Sequence, residues 1–294
     1  NQFNGGRASG ETRGEIQVSN TSLILRPDGQ LTETQVAMLA EQDAEGEAGY
    51  NFSPLTIKFP TGGAIANFVL SDGDSLKAPF NAIVAVAQRK RGYYPGKDPV
   101  GGQPPLCAAP DGVTGWFDVD SEQVQAALAA PVRHPALLTL DRERAAGPWA
   151  CAACPLSKWG TDSAGGSGQA CKERRFLLVI VKGWAMPAIL SVPPASIKHW
   201  DAFASGQRQR GQSYFGRWVE MGLTRGTSTR GTGYAELKIT SGAPLTDPEA
   251  AEVMQIRAMY AELVRGMEIE GDEYVDSAAI SATAEEVAAG DVAF

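Results

Sequence analysis

Four cysteines are the residues of this sequence whose type and spacing best predict a chemical role. Cys151 and Cys154 form a C-x2-C pair, with Cys107 before it and Cys171 after it. Such a pair places two thiolates on one tight turn, and two further sulfurs would complete the tetrahedron of a structural Zn²⁺ site. Because four thiolates leave no open coordination position, the predicted zinc would stabilise the fold and take no part in catalysis.

Other interpretations of the cysteines fit less well. Disulfides need an oxidising compartment, whereas residues 1–17 have neither the basic nor the apolar region of a secretory signal, which predicts a cytoplasmic location. A redox C-x-x-C usually opens a helix, but Pro155 and the glycines from Gly160 onward predict none here. Four unrelated thiols are the alternative that stays open.

The sequence contains no recognisable enzyme motif. His134 and His199 have no partner at a metal-binding spacing, and there is no phosphate loop, His-Glu-x-x-His or Gly-x-Ser-x-Gly. The densest run of acids, "MEIEGDE", lies in a C-terminal tail where rigid positioning of carboxylates is not expected. We therefore predict a protein without catalytic activity.

The net charge of −8 is unevenly distributed. Residues 268–294 carry eight acids and no lysine or arginine, so the rest of the chain is neutral overall. Within that rest, the segment from Lys172 to Lys238 holds eleven basic residues against four acids. This asymmetry is typical of a body that binds a polyanion and carries an acidic interaction tail; the alternative is that the basic residues are dispersed over a solvated face.

The elements that must position these residues are predicted to be mainly β-strands. Strands are predicted in "LTIKFP", "AIANFVL" and "PFNAIVAVAQ" before the cysteine region, and in "RRFLLVIV" and "PAILSV" after it. Residues 95–172 between them are rich in glycine and proline, with one short helix predicted over 121–129. Since this segment has little apolar content, we predict a zinc-stabilised insertion in a larger β domain.

A helix and a hairpin complete the predicted domain. In "PPASIKHWDAFASG", Ser196 is expected to cap a helix that Gly206 ends. Two alternating strands follow, joined by a loop over 225–233. This element order predicts the five-stranded barrel of an OB-fold, flanked by a helix around Val36 and another that starts at Thr246. The fold class is thus mainly β with α, with an OB-fold-like domain over 1–267 and a disordered tail over 268–294.

Cations and aromatic rings alternate in this domain. Proteins that bind single strands without sequence preference combine a basic groove with rings on which bases stack. A core position is the alternative for each ring. The predicted contact residues are Arg89, Lys90, Arg91, Tyr93, Tyr94, Lys172, Arg174, Arg175, Lys182, Trp184, Tyr214, Arg217, Trp218, Arg225 and Arg230.

The C terminus resembles a known type of tail. Its last residues, "EEVAAGDVAF", place acids just before a terminal phenylalanine. In this it is similar to the acidic, aromatic-terminated tails of bacterial and bacteriophage single-stranded-DNA-binding proteins. The resemblance implies that Asp291 and Phe294, with Glu285 and Glu286 as looser analogues, recruit replication proteins and compete with DNA for the basic groove.

About fifty residues of the body also resemble a group of phage-encoded proteins regarded as single-stranded-DNA-binding. The shared features are a C-x-x-C-P, a W-G-[ST], a glycine-rich stretch with a final Cys-Lys, an apolar strand and a PP-x-S-[IL]-K-x-W helix. They correspond here to residues 151–160, 165–172, 176–181 and 193–200. The resemblance implies a bacteriophage protein that acts in the host cytoplasm.

These patterns together predict a single-stranded-DNA-binding protein for phage DNA replication and recombination, with structural zinc. It would recruit replication or recombination proteins through its tail. The alternative is a zinc-ribbon regulator of transcription or recombination that contacts duplex DNA or RNA polymerase.

Overall fold

The computed structural model describes six stretches of the chain and four helical positions near its N terminus. The stretches are 54–60, 65–94, 105–117, 148–161, 168–227 and 233–269, and the four positions are Thr34, Ala37, Met38 and Glu41. The helix predicted over 121–129 and the tail beyond Ile269 lie outside the described residues. No described helix is long and apolar enough to cross a membrane.

The described residues form eleven strands and two α-helices, which confirms a mainly β fold with helices. The strands are β1 (Thr56–Lys58), β2 (Asn67–Leu70), β3 (Ser75–Lys77), β4 (Phe80–Tyr93), β5 (Cys107–Ala109), β6 (Thr114–Phe117), β7 (Trp149–Ala150), β8 (Lys172–Val181), β9 (Ala188–Val192), β10 (Arg217–Thr227) and β11 (Gly233–Pro244). The helices are α1 (Pro194–Gln209) and α2 (Asp247–Gly266).

The strands join in one mixed sheet. Its order is β3-β2-β1-β9-β8-β4-β5-β6-β7, and the β10–β11 hairpin attaches to β4 through β10. β1 and β9 run parallel, and the other described pairs are antiparallel. Over the described residues this path does not close on itself, so the predicted five-stranded barrel is not confirmed.

The 14-residue strand β4 sets the geometry of the molecule. One of its edges pairs with β8, while the other pairs with β10 from Phe80 to Ala82 and with β5 from Arg91 to Tyr93. At about 3.3 Å per residue, these two attachments are roughly 30 Å apart. The hairpin and the strands β5–β7, which begin with Cys107 and end just before Cys151, therefore lie at opposite ends of one edge of β4.

The described part of the segment predicted as an insertion, residues 95–172, is continuous with the sheet. β5 pairs with the end of β4, β6 pairs with β5, and β7 pairs with β6. These short strands therefore extend the main sheet rather than form a separate unit.

Each face of the sheet has its own apolar core, and each helix covers one face. Along β8 the buried side chains alternate, as expected for a strand buried on both faces. Leu177, Val179 and Val181 pack in the core that contains Trp200 of α1. Phe176, Leu178 and Ile180 pack in the core that contains Val253, Ile256, Tyr260 and Val264 of α2.

A β-bulge in β4 determines which face its cations occupy. The register with β8 shifts between Val84 and Val86, so one extra residue, Ala85, stands in β4. Before the bulge the odd-numbered residue Ile83 lies in the α2-side core, whereas after it Ala87 packs on the α1 side. The extra residue therefore places Arg89 on the same face as Glu173 of β8, where the two are hydrogen-bonded.

Helix α1 begins and ends elsewhere than the sequence predicts. Its N-cap is Pro193, and it continues past Gly206 to Gln209, so the predictions that Ser196 caps it and Gly206 ends it are wrong. Ser196 is buried, and its hydroxyl accepts a hydrogen bond of 2.9 Å from the backbone N–H of Leu237 in β11. The last turn is held by Gln207, whose side chain donates to Ser241 and accepts from Arg217.

Helix α2 matches its prediction. Thr246 is the N-cap, and Thr246 and Glu249 form a capping box that satisfies backbone N–H groups of the first turn. Four apolar residues at helical spacing, Val253, Ile256, Tyr260 and Val264, form its buried side. The chain stays packed on the sheet for three residues beyond α2, because Ile269 is also buried, so the predicted tail border at 268 falls within this packed part.

Candidate functional site

The four cysteines meet at the end of the sheet where β4 passes to β5. Cys107 opens β5, Cys151 and Cys154 lie in the turn after β7, and Cys171 directly precedes β8. All four thiols line one cavity of about 10 Å³, which is room for a single atom or ion. Residues far apart in sequence are thus brought together by the pairing of β4 with β5 and β8. We call this space the cysteine cavity.

Backbone hydrogen bonds shape the turn that carries the C-x2-C pair. The N–H of Cys154 donates to the carbonyl of Cys151 at 3.2 Å, and the hydroxyl of Ser157 lies 2.7 Å from the carbonyl oxygen of Cys151 and 2.8 Å from that of Cys154. The N–H of Cys171 donates to the carbonyl of Leu156 at 2.9 Å, which ties the fourth cysteine to the same turn. A 3₁₀ helix over Pro155–Ser157 has Cys154 as its N-cap, so the prediction that nothing helical follows the pair is wrong, and this single turn helps to position three of the thiols.

Gly115 in β6 leaves space for the cavity. A Cβ atom at this position would lie 3.0 Å from the sulfur of Cys107 and 3.8 Å from that of Cys151. The first distance is shorter than ordinary carbon–sulfur contact. A side chain here would therefore push against the sulfurs that converge on the cavity.

Burial, with a smaller contribution from neighbouring sulfurs, raises the pKa values of three of the four thiols. Burial raises the pKa of Cys171 to about 12, and it also raises the pKa values of Cys107 and Cys151. The guanidinium of Arg91 opposes this increase at Cys151 and Cys171. Thiolates in such a place need a compensating positive charge, and a bound metal ion provides one.

The four cysteines are of the right residue type for a structural metal ion, but their sulfurs are not yet arranged as a coordination shell. All four cysteines are free thiols, and four sulfurs are a preferred ligand set of Zn²⁺. Across the described stretches, no three histidine, cysteine or carboxylate side chains already stand in a metal-binding arrangement. Side-chain rotations toward the shared cavity would therefore have to accompany binding.

Next to the cysteine cavity lies a group of charged residues that we call the strand-end cluster. It consists of Arg89, Arg91, Glu173, Arg175 and Asp201. The carboxylate of Glu173 accepts hydrogen bonds from all three arginines, and Arg175 also contacts Asp201 of α1 at 3.1 Å. Although burial alone would raise the pKa of Glu173, the arginines hold it below its usual value of 4.5. The three arginines are therefore all engaged by carboxylates of the protein itself.

Five of the predicted contact residues are buried and cannot reach a ligand in this structure. Tyr93 and Tyr94 are each 2% exposed, so the expectation that they are exposed is wrong. The hydroxyl of Tyr94 donates to the carbonyl of Ile269 at 2.9 Å, which places the residues after α2 over it. Burial lowers the pKa of Lys90 to about 8, and its ammonium donates to the carbonyl of Arg265. Lys172 and Arg174 are also buried.

The predicted aromatic contacts that follow β8 have structural partners as well. Tyr214 packs edge-on against Trp200, and Arg257 of α2 stacks on the neighbouring Phe215 with its guanidinium carbon 3.9 Å from the ring centre. Trp218 packs on the α2-side core, and Trp184 packs on the α1-side core. The alternative of a core position therefore describes these rings better than stacking on bases.

Two predicted cations remain on the surface. Lys182 and Arg225 are exposed, whereas Arg217 is half-buried against Gln207. Arg230 and the tail residues Glu285, Glu286, Asp291 and Phe294 lie outside the described residues.

An open groove is lined by α1 and the β10–β11 hairpin, which are themselves joined by the Ser196–Leu237 and Gln207–Ser241 hydrogen bonds. Its volume is about 550 Å³, and the side chains that characterise it are His199, Phe203, Arg210, Lys238 and Ile239. Arg210 and Lys238 are exposed cations, and no carboxylate is among the described residues that line the groove.

Sequence reasoning missed this groove and two exposed tryptophans. Trp159 is 76% exposed and Trp116 is 53% exposed, both in the cysteine-bearing part of the sheet. Exposed rings of this size offer flat apolar surfaces on which another ring could stack. For Trp159 a signal was available, since it stands between Lys158 and Gly160 in a segment without periodicity.

Comparisons with known proteins do not assign this arrangement. No protein-family model matches the chain. Searches of curated proteins and of solved structures found no match either.

Proposed function

We propose that the protein binds single-stranded DNA without sequence preference and that the groove between α1 and the hairpin is its principal binding surface. The observation that carries the proposal is the groove itself, which is open, holds Arg210 and Lys238, and has no carboxylate among its described lining residues. The proposed surface differs from the one predicted from the sequence. The predicted arginines at the end of β4 and the start of β8 are bound by Glu173.

Electrostatics supports the groove as a phosphate-binding surface. Exposed lysines and arginines that neutralise phosphates release condensed counterions, and this release provides most of the free energy of sequence-independent binding. Arg208 at the end of α1 and Arg225 in β10 are also exposed, so each of the two elements that border the groove carries a further cation. A strand bound here would meet positive charge along its path rather than at one point.

Aromatic side chains support binding of unpaired bases. Phe203 lies half-buried in the groove, and Trp116 and Trp159 offer exposed rings at the other end of the β4 edge. Stacking of a base on such a ring contributes about 1 to 3 kcal/mol, and it requires that the base be unpaired. Exposed rings therefore favour a single strand over a duplex.

The other predicted parts belong to this proposal. Zn²⁺ held by Cys107, Cys151, Cys154 and Cys171 would stabilise the end of the sheet, and the shared cavity supports that assignment. The acidic tail with its terminal Phe294 would recruit replication or recombination proteins. The proposed role is not catalytic.

The experiment is an anisotropy titration of labelled oligo(dT) and of a duplex of equal length over a salt series. We expect tighter binding of the single strand, with an affinity that falls steeply as salt rises. Arg210→Glu combined with Lys238→Glu should weaken binding about tenfold or more at low salt and reduce the salt slope by roughly 1.4. Arg265→Glu reverses the charge of an exposed arginine on α2, which covers the other face of the sheet, and this control should bind as the wild type does.

The titration distinguishes the two predicted functions, and the double variant tests the groove. Equal affinity for the duplex would favour the alternative, a zinc-ribbon regulator that contacts duplex DNA. Unchanged binding by the double variant, with an unchanged melting temperature, would remove the groove from the proposal.

A further inference from the structure

Arg91 connects the cysteine cavity to the strand-end cluster. One of its terminal nitrogens donates to Glu173, and the side chain is 10% exposed. Arg91 also lines the cavity together with the four cysteines. Among the described residues, its Nε and its other terminal nitrogen are buried and have no hydrogen-bond partner.

Buried donors without acceptors are costly and therefore informative. An unsatisfied buried N–H loses about 1 to 3 kcal/mol relative to one that is hydrogen-bonded, and the loss is larger for a charged group. The cavity that Arg91 lines also contains four thiols, which are weak acceptors. Four thiolates around one divalent cation would instead carry two net negative charges, and their sulfurs would be good acceptors.

We infer that Arg91 is an outer-sphere ligand of the metal centre, which donates from its free nitrogens to the cysteine sulfurs and balances part of their charge. Its remaining nitrogen holds Glu173, so the metal would be linked through Arg91 and Glu173 to Arg175 and to Asp201 on α1. The inference rests on the zinc site proposed above and is independent of DNA binding.

Arg89 provides a matched comparison. It also donates to Glu173, at 2.6 Å, and its Nε is likewise buried without a partner. Unlike Arg91, it is not among the residues that line the cysteine cavity. Replacing each arginine by methionine removes one cation from Glu173 in both cases, but only the Arg91 change removes a donor from the cavity.

The test measures metal binding by the full chain. Zinc content is determined by elemental analysis, zinc affinity by competition with a chromophoric chelator, and the ligand set from the absorption spectrum of the Co²⁺-substituted protein. We expect one zinc per chain and thiolate-to-cobalt charge-transfer bands in the wild type. Arg91→Met should weaken zinc binding about 10- to 100-fold, whereas Arg89→Met should stay close to the wild type.

Different failures identify different errors. If the wild type holds no zinc and Co²⁺ gives no thiolate bands, the zinc site itself is wrong, and the inference about Arg91 falls with it. If the wild type holds zinc and Arg91→Met binds it equally well, or Arg89→Met loses as much, only the role of Arg91 is overturned. If Arg91→Met does not fold, Arg91→Lys keeps the charge without the planar fork, and an affinity equal to the wild type would refute the inference.

Discussion

At one end of β4, three arginines of the strand-end cluster converge on a single carboxylate, Glu173, next to the cysteine cavity. At the other end, Arg210 and Lys238 line an open groove without a carboxylate among its described lining residues. Both regions belong to basic stretches of the sequence, yet their cations differ in what surrounds them. The first set is used within the fold, and the second is available to a ligand.

The comparison teaches that the charge of a segment does not locate a binding surface. A buried cation with an internal counterion contributes little field outside the protein, whereas an exposed cation without one attracts phosphates. The difference originates in the backbone, because the bulge in β4 places Arg89 on the face of Glu173.

The largest effect is expected at Glu173. Glu173→Gln removes the shared counterion and leaves Arg91 and Arg175 as partly buried, uncompensated charges. We expect the free energy of unfolding to fall by about 3 to 5 kcal/mol, measured by urea denaturation. Asp201→Asn, which changes an exposed partner of Arg175, should cost less than about 1 kcal/mol.

The pH dependence of the stability difference between the wild type and Glu173→Gln tests whether charge is its cause. Because the arginines lower the pKa of Glu173 in the folded protein, its stabilising effect is complete above the ordinary value of 4.5 and is lost as the pH falls through the lower folded value. The gap between the wild type and Glu173→Gln should therefore be constant near neutral pH and shrink below about pH 4.5. A gap that persists in acid would show that packing, not charge, makes Glu173 important.

An intermediate effect is expected at Trp159, which tests whether the cysteine-bearing end takes part in binding although its arginines are engaged by carboxylates. Trp159→Ala should reduce the affinity for oligo(dT) by about 1 to 3 kcal/mol in an anisotropy titration, because a stacking surface is lost. The free energy of unfolding should change by less than about 0.5 kcal/mol, since the ring is exposed. Val113→Ala removes an exposed aliphatic side chain from the same region and should leave binding unchanged. If both variants bind equally well, the groove alone contacts DNA.

The smallest effect is expected at Tyr94. Tyr94→Phe removes the hydrogen bond to the carbonyl of Ile269 and should lower the free energy of unfolding by about 1 kcal/mol. Affinity for oligo(dT) should not change, because the ring is 2% exposed. A clear loss of affinity without loss of stability would show that Tyr94 becomes accessible and would weaken the contrast between the two ends.

Features governed by local interactions could be predicted from the sequence. The start of α2 depends on Thr246 and Glu249, three residues apart, and its buried side follows from helical periodicity. The strands around β4, β8 and β9 followed from runs of apolar and β-branched residues. Each of these predictions uses residues within one element.

Features that depend on distant partners could not be predicted. Tyr94 is covered through Ile269, which is 175 positions away, and Lys90 is held by the carbonyl of Arg265 at the same separation. Gly206 does not end α1, because Gln207 is held by Ser241 of another element. In the sequence, Tyr94 and Lys90 stand close to glycine and charged residues, which is typical of an exposed segment. Only the tertiary fold buries them.

The hydrogen bond from Leu237 to Ser196 affects how copies of the protein can associate. Strand β11 has β10 as its partner on one side, and an open strand edge invites a strand from another molecule. Here α1 lies along that edge, and the serine hydroxyl occupies a backbone amide that an incoming strand would need. Copies arranged side by side on a polymer would therefore stay discrete and exchangeable instead of merging into a continuous sheet through this strand.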